Sequence, residues 1–334
     1  MRVLITGGAG FVGSNLVRYF MKRGYDVSII DNLSRPKGGS IKNLSKLKND
    51  YSDLAYHIVD VSSMNGLRGV FSQQSPHVVV HCAAQTSLRR YLSMPYEDFT
   101  SNALGTLNVL KMCEEYDSHM VFLSTNKVYG LLNNLPMDES KYRYDFYGIE
   151  GINEKQQLDP HSDPYSLSKY IADRYCQLYK KTTVLRMSSI YGQGQWSIAG
   201  QGWIGVFALH TLQGKGIEVS GDGRQVRDIL HIDDLVKLID AIIDMKITGV
   251  FNVGGGKTHS LSIRELLQIF RDLGYTTPQV KYKEWNPWTQ KVYVTDYTKI
   301  REVTGWKPHI GTAGIEPYIK QWLLSEVLPQ GYTL

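Results

Sequence analysis

Two stretches of this 334-residue sequence combine residue types and spacings that could do redox or proton-transfer chemistry. The first is Pro164-Tyr165-Ser166-Leu167-Ser168-Lys169. On a helix, Tyr165 and Lys169 share a face, one turn apart. A phenol titrates near ~10, too high for a base at neutral pH, and a neighbouring ammonium brings that value down by stabilising the phenolate. Tyr165 could then take a proton from a hydroxyl while a hydride leaves the same carbon. Alone, the pair is also explained by a solvated helix face. The second stretch supplies the context.

Val3-Leu4-Ile5 is a short apolar run that breaks at Thr6-Gly7-Gly8-Ala9-Gly10-Phe11-Val12-Gly13, and Val12, Leu16, Val17 and Phe20 then recur at helical spacing until Gly24. Strand, glycine turn and helix make a dinucleotide site, because the turn admits a pyrophosphate and the helix N-terminus offers unpaired N–H groups to it. A turn that is tight only for packing is the competing reading. The next strand, Asp26–Ile30, ends in Asp31, an acid placed to hold the ribose diol and repel a 2′-phosphate, which favours NAD over NADP, with Arg35 nearby as the opposing signal. A third strand, Tyr56–Val59, delivers Asp60 and Val61. A fourth, Val78-Val79-Val80, is apolar throughout, as in a parallel sheet covered on both faces. It runs into His81-Cys82-Ala83-Ala84, whose small residues permit close approach of a cofactor; His81 itself reads as structural.

These elements must position the chemistry. A helix is predicted over about Asn102–Cys113. Val121-Phe122-Leu123 leads to Ser124-Thr125-Asn126-Lys127-Val128-Tyr129-Gly130 at a strand's C-terminal end, where open α/β sheets bind ligands. Residues 131–160 have no period and carry Tyr142, Arg143, Tyr144, Phe146 and Tyr147; they read either as an ordered substrate cover or as an Ω-loop packed on itself. A helix of about Ser166–Tyr179 and a buried strand Thr183-Val184-Leu185 follow. Beyond them the pattern loosens: Gly192–Trp203 is rich in Gly, Gln and Trp, Arg227 and Asp228 precede a strand Ile229–His231, and a short helix spans Leu261–Leu273.

Composition narrows the classes. Net charge is +5 with scattered cations, which argues against a nucleic-acid stripe. No apolar run approaches the ~18 residues of a membrane span, and the N-terminal residues enter a strand with no signal-like segment. Cys82, Cys113 and Cys176 have neither metal nor disulfide spacing, which suits a cytoplasmic protein without a metal site.

The glycine turn, Asp31, Asp60, Thr125, Tyr165 and Lys169 occur in one order that resembles the extended short-chain dehydrogenase/reductase family, with its nucleotide-sugar epimerases and dehydratases. The resemblance covers essentially the whole chain. It implies an α/β fold: a Rossmann-type doubly wound parallel sheet in residues 1–185, with a return segment near 228–250, and a smaller α/β substrate domain in 186–334. It implies a bound NAD held by Gly7, Gly10, Phe11, Val12, Asp31, Asn32, Asp60, Val61, Ala83, Tyr165 and Lys169. Thr125, Tyr165 and Lys169 would be catalytic, and Gln85, Thr125, Asn126, Arg143, Gln201 and Arg227 would meet a nucleotide-diphosphate sugar, Arg227 at the pyrophosphate. It also implies a homodimer built on the helices near 102–113 and 166–179 as a four-helix bundle.

Within the family, Ser124–Gly130, Gln157-Leu158-Asp159 with His161, Ser188–Gly192, Gln201–Gly205 and Gln225–Asp228 resemble the enzymes that invert C2 of CDP-linked deoxyhexoses such as CDP-paratose and CDP-tyvelose. The stretch Asn286–Tyr293 departs from their pattern. Dehydratases follow the catalytic threonine with carboxylates, needed as an acid/base pair for elimination; this chain has Asn126 and Lys127. Epimerisation by oxidation and re-reduction is what the residues retain. A C4 epimerase of a UDP-hexose, a net reductase, and a non-catalytic NAD-sensing module are the other readings.

Overall fold

The computed structural model describes residues 1–86, 94–160, 163–198, 200–276 and 278–334; His161 lies outside them. Seven strands form the main sheet: β1 (Arg2–Thr6), β2 (Asp26–Asp31), β3 (Ala55–Ile58), β4 (Val78–His81), β5 (His119–Thr125), β6 (Thr182–Met187) and β7 (Gly249–Val253). All pair in parallel, in the order β7-β6-β5-β4-β1-β2-β3. Val78–His81 is buried at every position because helices cover both faces of the sheet. On one face pack Leu16, Val17 and Phe20 with Leu235, Ile239 and Ile242; on the other, Leu67, Phe71, Val109 and Leu110 with Ala172 and Cys176. Chain order reverses between β1 and β4, and a doubly wound sheet opens its ligand crevice at that reversal.

The second, smaller layer centres on the strand Val226–His231. It pairs antiparallel with Ser260–Ser262 and parallel with Val292–Tyr293 and Ser189–Tyr191. A core of Trp196, Ile204, Leu209, Phe270, Tyr318 and Trp322 supports it. Between these strands the chain returns to the main sheet through the helix Ile232–Asp244 and β7.

Three expectations need correction. The helix read over Asn102–Cys113 starts at Pro95, passes through a π-helical stretch Phe99–Leu104 and ends at Glu115. Tyr96, Phe99 and Leu104 are exposed, so that first half shows no single apolar face for periodicity to find. The Tyr165 helix spans Pro164–Cys176, three residues short of Tyr179. Residues 131–160 include a hairpin, Met137–Glu139 with Tyr144–Phe146. Its Tyr144 and Phe146, with Leu132 and Ile152, pack on Val226, Val292 and Tyr293. The segment is therefore not packed on itself. Nor does any residue of it line the clefts described below; Tyr144 and Phe146 are consumed as packing against the second layer, and Tyr142 and Tyr147 are exposed.

Candidate active site

β1 ends in Thr6, and the turn after it runs so close to β4 that side chains do not fit. A Cβ at Gly7, whose φ is +65°, would lie 2.7 Å from the Ala83 nitrogen, and one at Gly13 would lie 2.2 Å from the Gly7 carbonyl oxygen. Packing alone thus demands these glycines, yet the turn also leaves a feature that packing does not require. The helix Phe11–Lys22 starts at Gly10 with no side-chain cap and no acid in its first turn. Its free N–H groups can meet an anion. They face a cleft of ≈ 570 Å³ whose lining includes Gly7, Gly10, Phe11, Val12, Asp31, Asn32, Asp60, Val61, Ala83, Tyr165 and Lys169. Every residue expected at the cofactor lines it.

Asp31 closes β2 with its carboxylate accepting from Ala9 N (3.0 Å) and Leu33 N (2.8 Å). Burial raises its pKa against those bonds. Asn32 donates to Asp60 (2.7 Å), and Ser62 donates to the same carboxylate from backbone and hydroxyl. Burial works against the Asp60 carboxylate, but the hydrogen bonds win and hold it below its usual range. Arg35, the opposing signal for a 2′-phosphate, donates to the Trp196 carbonyl (3.1 Å).

The Tyr165 helix is fixed by its first residues. Asp163 caps it, accepting from Ser166 N (2.8 Å) and Ser166 Oγ (2.7 Å), and Pro164 follows at the first helical position. Nearly three turns on, Asp173 anchors the same helix to the sheet. It forms a two-pronged buried ion pair with Arg186 of β6 (2.9 and 3.0 Å) and accepts from Ser124 of β5 (2.7 Å). Arg186 also donates to Tyr129, whose hydroxyl donates to Asn252 of β7. This network ties together the three strands and the helix that carry Thr125, Tyr165 and Lys169.

Those three side chains are buried; Tyr165 hydrogen-bonds Thr125, and Tyr165 and Lys169 both line the smaller cleft. Burial pushes the Tyr165 phenol well above its usual value, while a hydrogen bond with Thr125 pulls it back in part. Lys169 donates to the Leu123 carbonyl (2.7 Å) and sits over the Phe122 ring; burial lowers it to about 8. The expected lowering of the phenol by Lys169 is not found, because burial dominates and the ammonium donates to the Leu123 carbonyl. His81 is structural: its ring lies between Thr6 Oγ1 (2.6 Å) and Thr106 Oγ1 (3.0 Å), and burial depresses it to about 3.

A larger cleft of ≈ 1310 Å³ opens from Thr125, Asn126, Lys127 and Tyr165 toward Arg227, Phe207, Ile217 and Val280 of the second layer. Gln201 lines both clefts and donates to Thr86 Oγ1. Gln85 lines only the smaller one, with its amide donating to Asp98 (3.0 Å). Arg143 reaches neither: it is held by Ser260 Oγ (2.7 Å), Asp145 (3.0 Å) and Glu265 (3.4 Å). Gln290 escaped sequence reading. Its buried carboxamide donates to the Gly130 carbonyl (2.6 Å) and accepts from Asn126 (3.4 Å), fastening the second layer to the loop after Thr125. No spacing rule points to it. The Asp163-Pro164 pair, by contrast, was a readable helix start.

Residues 3–254 match the NAD dependent epimerase/dehydratase family. The chain is 35% identical to CDP-paratose 2-epimerase of Salmonella typhi, over 93% of this chain and 95% of that one. It is 31% identical to a putative UDP-glucose 4-epimerase of Methanocaldococcus jannaschii, over 92% and 93%. Among solved structures, the UDP-glucose 4-epimerase of Thermus thermophilus in complex with NAD superposes with a TM-score of 0.79 at 28% identity, covering 96% of this chain and 98% of that one. With this match and a cleft that every expected cofactor residue lines, the chain belongs to the NAD dependent epimerase/dehydratase family, and its cofactor is NAD.

Proposed function

We propose that the protein inverts C2 of a CDP-linked deoxyhexose, interconverting CDP-paratose and CDP-tyvelose through a transient 2-keto sugar. The observation that carries this reading is the position after Thr125. Elimination of water needs a carboxylate pair beside the activated carbon, and Asn126 and Lys127 stand there instead, both lining the substrate cleft. The choice of C2 and of CDP is supported by the 35% identity to the Salmonella enzyme across 93% of this chain and 95% of that one.

NAD, when bound, supplies a hydride acceptor that later returns the hydride. Gly7, Gly10, Phe11 and Val12 would hold its pyrophosphate, Asp31, Asn32, Asp60 and Val61 its adenosine end, and Ala83, Tyr165 and Lys169 its reactive end. The chain's own task is the proton. Thr125 orients the C2 hydroxyl, Tyr165 takes its proton and gives it back, and Lys169 is the cation the chain supplies to stabilise the phenolate. Arg227 and Gln201 hold the substrate's distal part while the planar keto sugar turns its other face. Asn126 contributes a polar contact in the larger cleft, whereas Gln85 faces only the smaller one.

The protein acts as a homodimer in the cytoplasm. Phe99, Leu104, Leu167 and Tyr175 are exposed on the Pro95–Glu115 and Pro164–Cys176 helical segments, and large apolar side chains exposed on adjacent helices mark an interface. All three cysteines are free thiols, as in a reducing compartment. Incubation with CDP-paratose, followed by NMR of the sugar protons, tests the assignment. A mixture with CDP-tyvelose is expected. Conversion of UDP-glucose to UDP-galactose with CDP-paratose untouched would instead establish the C4 epimerase.

A further inference from the structure

Lys127 lines the substrate cleft but has no part in the proton transfer above. It sits two residues beyond Thr125, in the single helical turn Asn126–Tyr129. An ammonium has three donors, and among the described residues this one uses a single acceptor, the Trp288 carbonyl at 2.9 Å. No described carboxylate lies within ion-pairing distance of it. Asp163 acts on it only from a distance, and burial with the nearby Arg227 charge lowers its pKa to about 8.

Arg227 is in the same condition. It donates to the Val226 carbonyl (2.6 Å) and the Gln290 carbonyl (2.8 Å). Burial lowers it to about 10 despite its neighbour Asp228, whose own carboxylate accepts from Ser188 Oγ and from Gly256 N (3.0 Å). Two half-buried cations thus repel each other across one cleft, each donating to a carbonyl of the same 288–290 segment. Such a pair is costly until an anion offsets it. A neutral sugar hydroxyl brings no charge, and one sugar carboxylate would answer one cation. A diphosphate has the charge and the span for two.

We propose that Lys127 is a second seat for the diphosphate of the nucleotide sugar, acting with Arg227. This rests on the reading of the substrate as a nucleotide-diphosphate sugar, and it gives a positive role to a residue otherwise notable only as a missing carboxylate. The Trp288–Gln290 carbonyls hold both cations in place before substrate arrives. The diphosphate then takes up their remaining donors.

The test is calorimetric titration of the full-length, NAD-loaded protein with CDP, UDP and dTDP and with the matching nucleosides. Wild type, Lys127→Met and Lys127→Arg are compared. Lys127→Met should weaken the preferred diphosphate roughly ten- to hundredfold, the range of a lost charge-assisted hydrogen bond, and leave the nucleoside within twofold. Lys127→Arg should recover most of the loss. An unchanged diphosphate affinity in Lys127→Met would overturn the proposal. So would equal weakening of diphosphate and nucleoside, which would make Lys127 a strap for the 288–290 segment, or failure of Lys127→Arg to recover binding. Wild type preferring UDP would overturn the CDP reading while leaving the Lys127 comparison decisive. Wild type binding none of the diphosphates would overturn both.

Discussion

Tyr165→Phe removes one oxygen from a side chain that is 9% exposed, and its effects on stability and on rate should separate. The ring keeps its packing. What is lost is the hydrogen bond with Thr125, worth about 1 kcal/mol net, and the phenol's desolvation is relieved in return. At roughly 2–4 °C per kcal/mol for a chain above 150 residues, melting should move by no more than about 4 °C. The rate should move far more. A positioned proton acceptor contributes roughly 10²–10⁴-fold, and at 1.36 kcal/mol per factor of ten that is about 2.7–5.4 kcal/mol on the barrier. The assay pairs kcat on CDP-paratose with the melting temperature and the absorbance of bound NAD. A variant that keeps its NAD, melts near wild type and turns over at least a hundredfold more slowly agrees with the site. A kcat within tenfold of wild type refutes Tyr165 as the proton acceptor. A melting point lower by 10 °C or more would refute the argument that only the oxygen matters.

Asp173→Ala strands the Arg186 guanidinium in the interior, where the pair is now 4% and 0% exposed; breaking a buried pair costs about 3–5 kcal/mol, so thermal denaturation should show a fall several times that of Tyr165→Phe, and a shift below 3 °C would contradict it. His81 has a folded pKa of about 3 against ~6.5 unfolded, so the unfolded chain binds the extra proton first: its contribution is complete above ~6.5 and is lost as pH falls toward 3. Asp98, raised to about 6 by burial, opposes this in part, so the difference between wild type and His81→Gln isolates the histidine; it should shrink from pH 7 to pH 4.5, and parallel melting curves across that range would refute it. Leu104→Glu with Leu167→Glu should convert the proposed dimer to monomer in light scattering at unchanged fold, and a wild type that is itself monomeric would refute the interface.

Sequence patterns revealed the parts of this fold that repeat a local rule. Val3–Ile5 followed by Gly7, Gly10 and Gly13 specifies strand, turn and helix within a dozen residues, and the structure places Gly7 and Gly13 where any side chain collides. Val78–Val80 specifies a central parallel strand by being apolar on both faces. What escaped reading depends on contacts far apart in sequence. Arg143 looked available in an aperiodic loop, but Ser260 and Glu265, more than a hundred residues away, engage it. The first half of the Pro95–Glu115 helical segment hid because its large apolar residues, Tyr96, Phe99 and Leu104, are exposed. Gln290 ties two layers together through one carboxamide, and no periodicity encodes that. The relation of Tyr165 to Lys169 was right in spacing and incomplete in energetics, since burial outweighs a neighbouring charge that the Leu123 carbonyl already holds.

The central claim is that the stereocentre inverts by hydride loss and return rather than by exchange of an acidic C–H proton. The route through an acidified C–H would need an acid/base pair on opposite faces of the sugar, and the described residues beside the reacting carbon are Thr125, Tyr165, Asn126 and Lys127; the carboxylate that lines the cleft, Glu218, stands on the second layer paired with Lys283. Epimerisation of CDP-paratose in deuterated water, read by mass spectrometry and by NMR at C2, separates the two directly. The account predicts product with no deuterium at C2, and full retention of label when the substrate carries deuterium there. Substantial solvent deuterium at C2 would contradict it.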